Sequence, residues 1–289
     1  MLRPAKRAMG IRFIAVDIDG TLLNSNLEVS AANRAAIAEA TRRGVQVALV
    51  TGRRYDFAMP VARQVDAPLT MIVNNGALVR TKEGATLLRH LLPREVAHHV
   101  VMATEEWRYA TAVVFDRPQA NQIILETIDW NDPTRGGYYR RNREYLAEVK
   151  PLENCLNDDP IQVMYTGGVA AMREAESALR RVQFADEFSL AATVYEDKDF
   201  SMIDIIRAGV TKGATLAEWT AARGIAPEEI LAIGDNHNDL EMLSFAGTPV
   251  VMGNCVSELK QRGWHVTASN DEDGVAAAIE QFALAEHTG

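Results

Sequence analysis

Cysteine is scarce in this chain. Of 289 residues only Cys155 and Cys255 are thiols, and nothing near them has the spacing of metal ligands. Two isolated cysteines argue against a disulfide framework and suit a reducing compartment. Long apolar runs are missing too, so no stretch offers the roughly 20 residues that a membrane-spanning helix needs. Basic charge is in deficit: 30 Lys and Arg stand against 39 Asp and Glu, a formal net charge of -9. General nucleic-acid binding wants a basic face, and this balance argues against it. A small anionic substrate remains compatible, because one local cation can reverse the field inside a cleft. Residues 1–9 are basic but lead into no apolar signal-peptide core. They are expected to form a loose tail, with Met9 an alternative start, on a cytoplasmic protein.

What is present is a regular alternation of strands and helices, without repeats or low-complexity segments. The run Ile11-Arg12-Phe13-Ile14-Ala15-Val16 reads as a short buried parallel strand. It stops at Asp17-Ile18-Asp19-Gly20-Thr21-Leu22. Ser30 is placed to cap a helix over 31–43, which Gly44 closes. A strand over 45–50 ends at Thr51-Gly52-Arg53, a helix covers 55–65, and a strand over 69–73 ends at Asn74-Asn75-Gly76-Ala77. Short connections between such elements predict an α/β fold, a Rossmann-like doubly wound parallel sheet. From Leu78 the pattern changes to a hairpin around Lys82-Glu83-Gly84, a helix after Pro93, and strands at 111–115, 122–128, 161–165, 190–195 and 202–206. An α+β domain inserted over 84–207 into a core of 10–83 and 208–289 accounts for this. The first pattern returns with a helix over 212–223 and a strand over 230–233. That strand stops at Gly234-Asp235-Asn236-His237-Asn238-Asp239, before a helix over 240–245, a strand over 249–252 and two last helices.

Parallel strands present their carboxyl ends along one edge, where ligands bind in open α/β sheets. The loops at Asp17-x-Asp19, Thr51-Gly52 and Asp235 to Asp239 can therefore converge although they are far apart in sequence. Asp-Gly alone is an ordinary turn dipeptide. Four carboxylates in one cleft are another matter, since close like charges cannot all stay ionised unaided. An oxygen-only set of this kind predicts a hard divalent cation, Mg²⁺.

In order and spacing, Asp17-Ile18-Asp19-Gly20-Thr21-Leu22, Thr51-Gly52-Arg53, Lys212-Gly213 and Gly234-Asp235-Asn236-His237-Asn238-Asp239-Leu240 resemble the four motifs of the haloacid-dehalogenase-like phosphatase superfamily. The pattern is most similar to its Cof-type branch with a class IIB cap. Asn75-Gly76-Ala77, Val251-Met252-Gly253-Asn254 and Asp273-Gly274-Val275 match as well, whereas the 84–207 segment matches only by position and length. The resemblance implies that Asp17 is the nucleophile and becomes an aspartyl-phosphate, and that Asp19 protonates the leaving group and then activates water. It implies Mg²⁺ held by Asp17, Asp235 and the Asp19 backbone carbonyl, with Asp239 behind them orienting waters. Thr51 with Gly52, Lys212 and Asn238 would meet the phosphate. The presence of Asp19 favours phosphoryl transfer over dehalogenation, because dehalogenase members lack that acid. A cap would close over the site, exclude water and select the leaving group.

The expected activity is thus Mg²⁺-dependent hydrolysis of a small phosphorylated metabolite, with sugar phosphates the leading class. A phosphomutase of the phosphomannomutase type and a non-catalytic phospholigand sensor are the alternatives. Monomer and homodimer are both open. Other residues are given no catalytic part: His98 and His99 are read as structural, and His237 earns no role. Arg53 either meets phosphate or braces the next helix, and Trp130, Tyr138 and Tyr139 either form a lid or pack the inserted domain. The stretch Ile203-Asp204-Ile205-Ile206-Arg207-Ala208-Gly209 departs from relatives, which often carry Glu and Pro there, and this leaves the hinge geometry open.

Overall fold

Four consecutive apolar residues, all buried, make the first strand, β1 (Phe13–Val16), as a strand covered on both faces requires. The computed structural model describes residues 10–196 and 199–285, so the expected tail at 1–9 lies outside the described residues. After β1 come α1 (Ala31–Arg42), β2 (Gln46–Val50), α2 (Tyr55–Ala62), β3 (Thr70–Val73) and the hairpin β4 (Leu78–Thr81) with β5 (Thr86–Arg89). Ser30 caps α1 as expected, its side chain accepting from the Asn33 amide at 3.1 Å.

The chain divides into two compact units, one running to Arg89 and resuming at Thr211, the other being His90–Val210. The second unit holds α3 (Arg94–Ala103), β6 (Thr111–Val114), β7 (Ile123–Leu125), α4 (Gly136–Arg141), β8 (Leu146–Glu148), β9 (Gln162–Gly167), α5 (Val169–Leu179), β10 (Phe188–Tyr195) and β11 (Phe200–Arg207). The first unit is then completed by α6 (Lys212–Ala221), β12 (Ile230–Gly234), α7 (Leu240–Phe245), β13 (Thr248–Val251), α8 (Ser257–Lys260), β14 (His265–Val266) and α9 (Gly274–Ile279).

In the first unit one sheet runs β14-β13-β12-β1-β2-β3-β4-β5. The strands from β14 to β3 are parallel, and the hairpin adds two antiparallel strands at the edge, pairing Leu78 with Arg89 and Val79 with Leu88. Val16 lies level with Leu49 on one side and with Ile233 on the other. That register brings the loops after β1, β2 and β12 to one edge.

In the second unit the sheet order is β10-β11-β9-β6-β7-β8. Val163, Tyr165, Ile203 and Ile205 share its apolar core with Val100 of α3 and with Met172 and Leu179 of α5. Tyr165 keeps its hydroxyl satisfied against Thr104 at 2.7 Å. Tyr139 is buried in this unit, while Trp130 stays 37% exposed with the Arg143 guanidinium 5.6 Å from its ring centre. His99 packs its ring against Phe184. In the departing stretch, Asp204 is buried on β11 and accepts from Gln162 Nε2 at 2.6 Å. Among the described residues no helix is long and apolar enough to cross a membrane.

Candidate active site

Where β1 ends, the Asp17 amide still donates to the Ile233 carbonyl at 3.0 Å, so this residue is held in the sheet. The chain then makes a wide turn, with the Leu22 amide returning to the Asp17 carbonyl at 3.3 Å and the Leu23 amide to that of Ile18 at 3.0 Å. Gly20 makes the turn possible at φ +76°, a left-handed conformation that side chains resist. A second constraint is steric. A β-carbon on Gly20 would overlap Asp235 Oδ2 and lie 2.9 Å from Asp235 Cγ, so only hydrogen fits.

Strand β12 ends in a second tight loop. Asp239 folds back on it, its Oδ2 accepting from the amides of Asp235 at 3.0 Å and Asn236 at 3.1 Å. Asp235 Oδ1 accepts from the Thr21 hydroxyl at 2.8 Å, which ties the second loop to the first. Lys212 opens α6 behind the capping Thr211, whose hydroxyl oxygen accepts from Ala214 N at 3.0 Å. Its ammonium donates to Asp17 Oδ1 at 2.6 Å and to Asp239 Oδ1 at 2.7 Å, and the side chain is 1% exposed. The helix start is located in turn by the Thr215 hydroxyl, which donates to the Gly76 carbonyl at 2.9 Å.

Charge in this cluster is out of balance. Burial alone would lower the Lys212 pKa, but the two ion pairs overcome it and raise Lys212 above its ordinary value. Asp17 is pushed well above the usual carboxylate range by burial and by Asp239, against the opposing pull of Lys212. Asp235 is pushed up to about 7 by burial and by Asp239, with the Thr21 hydroxyl and Lys212 opposing. One lysine does not neutralise three buried carboxylates. One carboxylate oxygen from each of Asp17, Asp235 and Asp239 lies within 4.8 Å of the others, a hard, all-oxygen donor set that fits a divalent cation. Asp239 has both oxygens engaged by protein donors. Asp17 Oδ2 and Asp235 Oδ2 accept no hydrogen bond among the described residues.

Thr51 and Gly52 follow β2, beside β1 in the sheet. Thr51 is buried; its oxygen accepts from Arg53 N at 3.1 Å, and its proton goes to no acceptor among the described residues. Gly52 lies so close to Asn75 that a β-carbon would sit 3.0 Å from Asn75 Oδ1. Asp19 stands apart from the buried cluster, 36% exposed and gripped by Arg53 in a two-pronged pair, Nε to Oδ2 at 2.7 Å and Nη2 to Oδ1 at 2.5 Å. Asn238 is half-buried in the turn after Asp235, and no side-chain hydrogen bond links it to the cluster among the described residues.

A model of the haloacid dehalogenase-like hydrolases matches residues 14–279, nearly the whole chain. The chain belongs to that family. Among its curated relatives is a 5-amino-6-(5-phospho-D-ribitylamino)uracil phosphatase of Bacillus subtilis, YitU, 28% identical over 93% of this chain and 96% of its own length. Another is the pyridoxal phosphate phosphatase YbhA of Escherichia coli, 28% identical over 94% of this chain and 98% of its own. A crystal structure of a haloacid dehalogenase-like hydrolase from Bacteroides thetaiotaomicron superposes with a TM-score of 0.76 at 26% identity, covering 94% of this chain and 99% of that one. The protein is accordingly a haloacid dehalogenase-like phosphatase.

Within this phosphatase some contacts escape a reading of the motifs. Arg53 braces the next helix, reaching the Phe57 carbonyl of α2 at 3.3 Å, and it also binds the Asp19 carboxylate. Thr21, given no part of its own in the sequence, donates to Asp235. Only the pairing of these loops in space reveals either contact.

Proposed function

We propose that the protein hydrolyses small phosphomonoesters, sugar phosphates foremost, through an aspartyl-phosphate on Asp17 with Mg²⁺ bound. The observation that carries this reading is the buried group of Asp17, Asp235, Asp239 and Lys212, assembled from three separated loops. Asp17, Asp235 and the backbone carbonyl of Asp19 would hold Mg²⁺, with Asp239 behind them. When bound, the ion would neutralise charge on the phosphoryl oxygens, which supplies much of the rate in phosphoryl transfer.

The chain's own groups divide the remaining work. Lys212 fixes Asp17 by one oxygen and supplies positive charge beside the phosphoryl group. A carboxylate oxygen of Asp17 bonds to phosphorus as the ester P–O bond breaks, and the departing alkoxide takes a proton from Asp19. Water then attacks the acyl phosphate, Asp19 takes its proton, and inorganic phosphate leaves with Asp17 restored. Thr51 has a hydroxyl proton available for a phosphoryl oxygen, and Gly52 keeps the loop beside it free of a side chain. Asn238 is assigned to positioning that same group. The inserted unit is read as the cap that selects the leaving group. The substrates named for YitU and YbhA, both small phosphate esters, support the substrate class. The free buried thiols support a reducing, cytoplasmic setting.

The test is phosphate release over a panel of sugar phosphates, nucleotides, phosphoserine and pyridoxal phosphate, with Asp17→Asn beside wild type. Turnover should disappear in the variant without loss of fold, and a chelator should silence wild type until Mg²⁺ is returned. Substantial activity in D17N would mean the wrong nucleophile, and chelator-resistant turnover would remove the metal.

A further inference from the structure

The requirement for glycine at position 20 creates a difficulty that the chain has to solve elsewhere. Because the Asp235 carboxylate occupies the space of a β-carbon, Gly20 cannot be replaced by a stiffer residue. Yet glycine turns freely about both backbone bonds, and the peptide joining it to Asp19 carries the carbonyl assigned above to Mg²⁺. The turn can be held from the other side of Gly20, at the peptide that bears the Gly20 carbonyl.

The restraint lies in two stretches that have no catalytic part. Asn254, in the loop after β13, donates its side-chain amide to the Gly20 carbonyl at 2.8 Å. Its own side-chain oxygen accepts from the Asn270 amide at 3.0 Å. Asn270 donates its side-chain amide to the Leu23 carbonyl at 2.8 Å, and Asp271 accepts from Ser25 N and Ser25 Oγ, both at 2.7 Å. The two donor loops are locked to each other as well, the Gly253 amide reaching the Ala268 carbonyl at 3.0 Å. The turn after the nucleophile is thereby tied at Gly20, Leu23 and Ser25 to the far end of the sheet.

We propose that Asn254 is a positioning residue for the metal site: it holds the Gly20 carbonyl, one peptide beyond the one that carries the Asp19 carbonyl, and so limits the swing of the turn that aims that carbonyl. Asn270 supports it by holding the Asn254 side chain. The inference rests on the assignment of Mg²⁺ made above and extends it to residues that touch neither metal nor substrate. Partners that orient metal ligands typically change metal affinity or activity about tenfold to a hundredfold when lost.

The test compares wild type, Asn254→Ala and Asn254→Asp. Aspartate keeps the acceptor for Asn270 but removes the donor to Gly20. Mg²⁺ binding is measured by calorimetry on protein without substrate, and kcat and KM are measured at saturating Mg²⁺. Both variants should bind Mg²⁺ about tenfold or more weakly and lose kcat while KM hardly moves. Unchanged Mg²⁺ affinity and kcat, or a lowered thermal midpoint as the only effect, would overturn the proposal and leave Asn254 a structural residue. Recovery of wild-type affinity in N254D would also overturn it, since the donor would then be irrelevant. If wild type itself neither binds Mg²⁺ nor releases phosphate, the reading of the site fails first.

Discussion

Replacing Lys212 by methionine keeps an unbranched chain, one heavy atom shorter, at a fully buried position and removes its charge. In wild type its ammonium stands 2.6 Å from Asp17 and 2.7 Å from Asp239, with Asp235 nearby in the same group. Removing one partner of a buried ion pair costs about 3–5 kcal/mol, because the abandoned charge stays out of water. Here the abandoned groups can escape by taking up protons, and this makes the loss depend on pH. Asp17 and Asp235 already lie above the ordinary carboxylate range, and losing the lysine raises them further. A carboxyl raised in the folded state favours folding below its unfolded value, and that stability is lost as pH rises through the folded value. The destabilisation by K212M should therefore be greatest at about pH 8 and shrink markedly by about pH 5. Urea unfolding can follow it by the fluorescence of Trp219, buried on the same helix, first with a chelator and then with Mg²⁺, which should restore part of the loss. Equal losses at both pH values would refute the reasoning, since they would point to packing rather than to uncompensated charge.

Mg²⁺ must compete with protons at Asp235, whose carboxyl is pushed up to about 7 by burial and by Asp239. The half-saturating Mg²⁺ concentration should therefore rise about tenfold between about pH 8 and about pH 6, and a flat titration would take Asp235 out of the ligand set. Arg53→Met should barely alter the fold, because a half-exposed ion pair contributes at most about 1 kcal/mol. Its effect should fall on chemistry, with turnover of alkyl phosphates dropping about tenfold or more while aryl phosphates, which need no proton on departure, drop less. Equal losses on both would mean that Arg53 does not act through Asp19. Gly20→Ala should combine about 1–2 kcal/mol of left-handed strain with displacement of Asp235. It should abolish calorimetric Mg²⁺ binding, and intact binding would count against the steric argument.

Much of this site was legible because its motifs are contiguous and stand at strand ends. Asp17, Thr51 and Asp235 each follow a short apolar run bounded by a turn, which reads as a buried strand, and the parallel order brings them to one edge. Lys212 was legible only through the order of the motifs, since a lysine at the head of a helix is by default solvated. The partners of these residues were not. Arg53 could equally have met a phosphate, and nothing in Asn254 or Asn270 signals that each would hold a carbonyl more than two hundred residues away. Short strands failed for a different reason. Leu146–Glu148 and His265–Val266 offer three and two residues, too few for an alternating pattern to register. The hairpin Leu78–Arg89 was read correctly as a hairpin, but which sheet it would join depends on hydrogen bonds that its own residues do not specify.

The central position of β1 has a consequence for how the enzyme comes into being. Its neighbours are β2, met after a short connection, and β12, whose approach brings together Arg12 and Glu229, 217 residues apart. Contacts of that span are the slow part of folding, because a long loop must close before they repay its entropy. At synthesis rates of about 5–20 residues per second, the strand carrying Asp17 waits on the order of ten to forty seconds for its second neighbour. During that interval the inserted unit is already complete as a chain, while the catalytic sheet has an open edge at its middle. Active phosphatase can therefore exist only after Ile230–Gly234 has docked beside Phe13–Val16, and no product of early termination can hold Asp235 against Gly20.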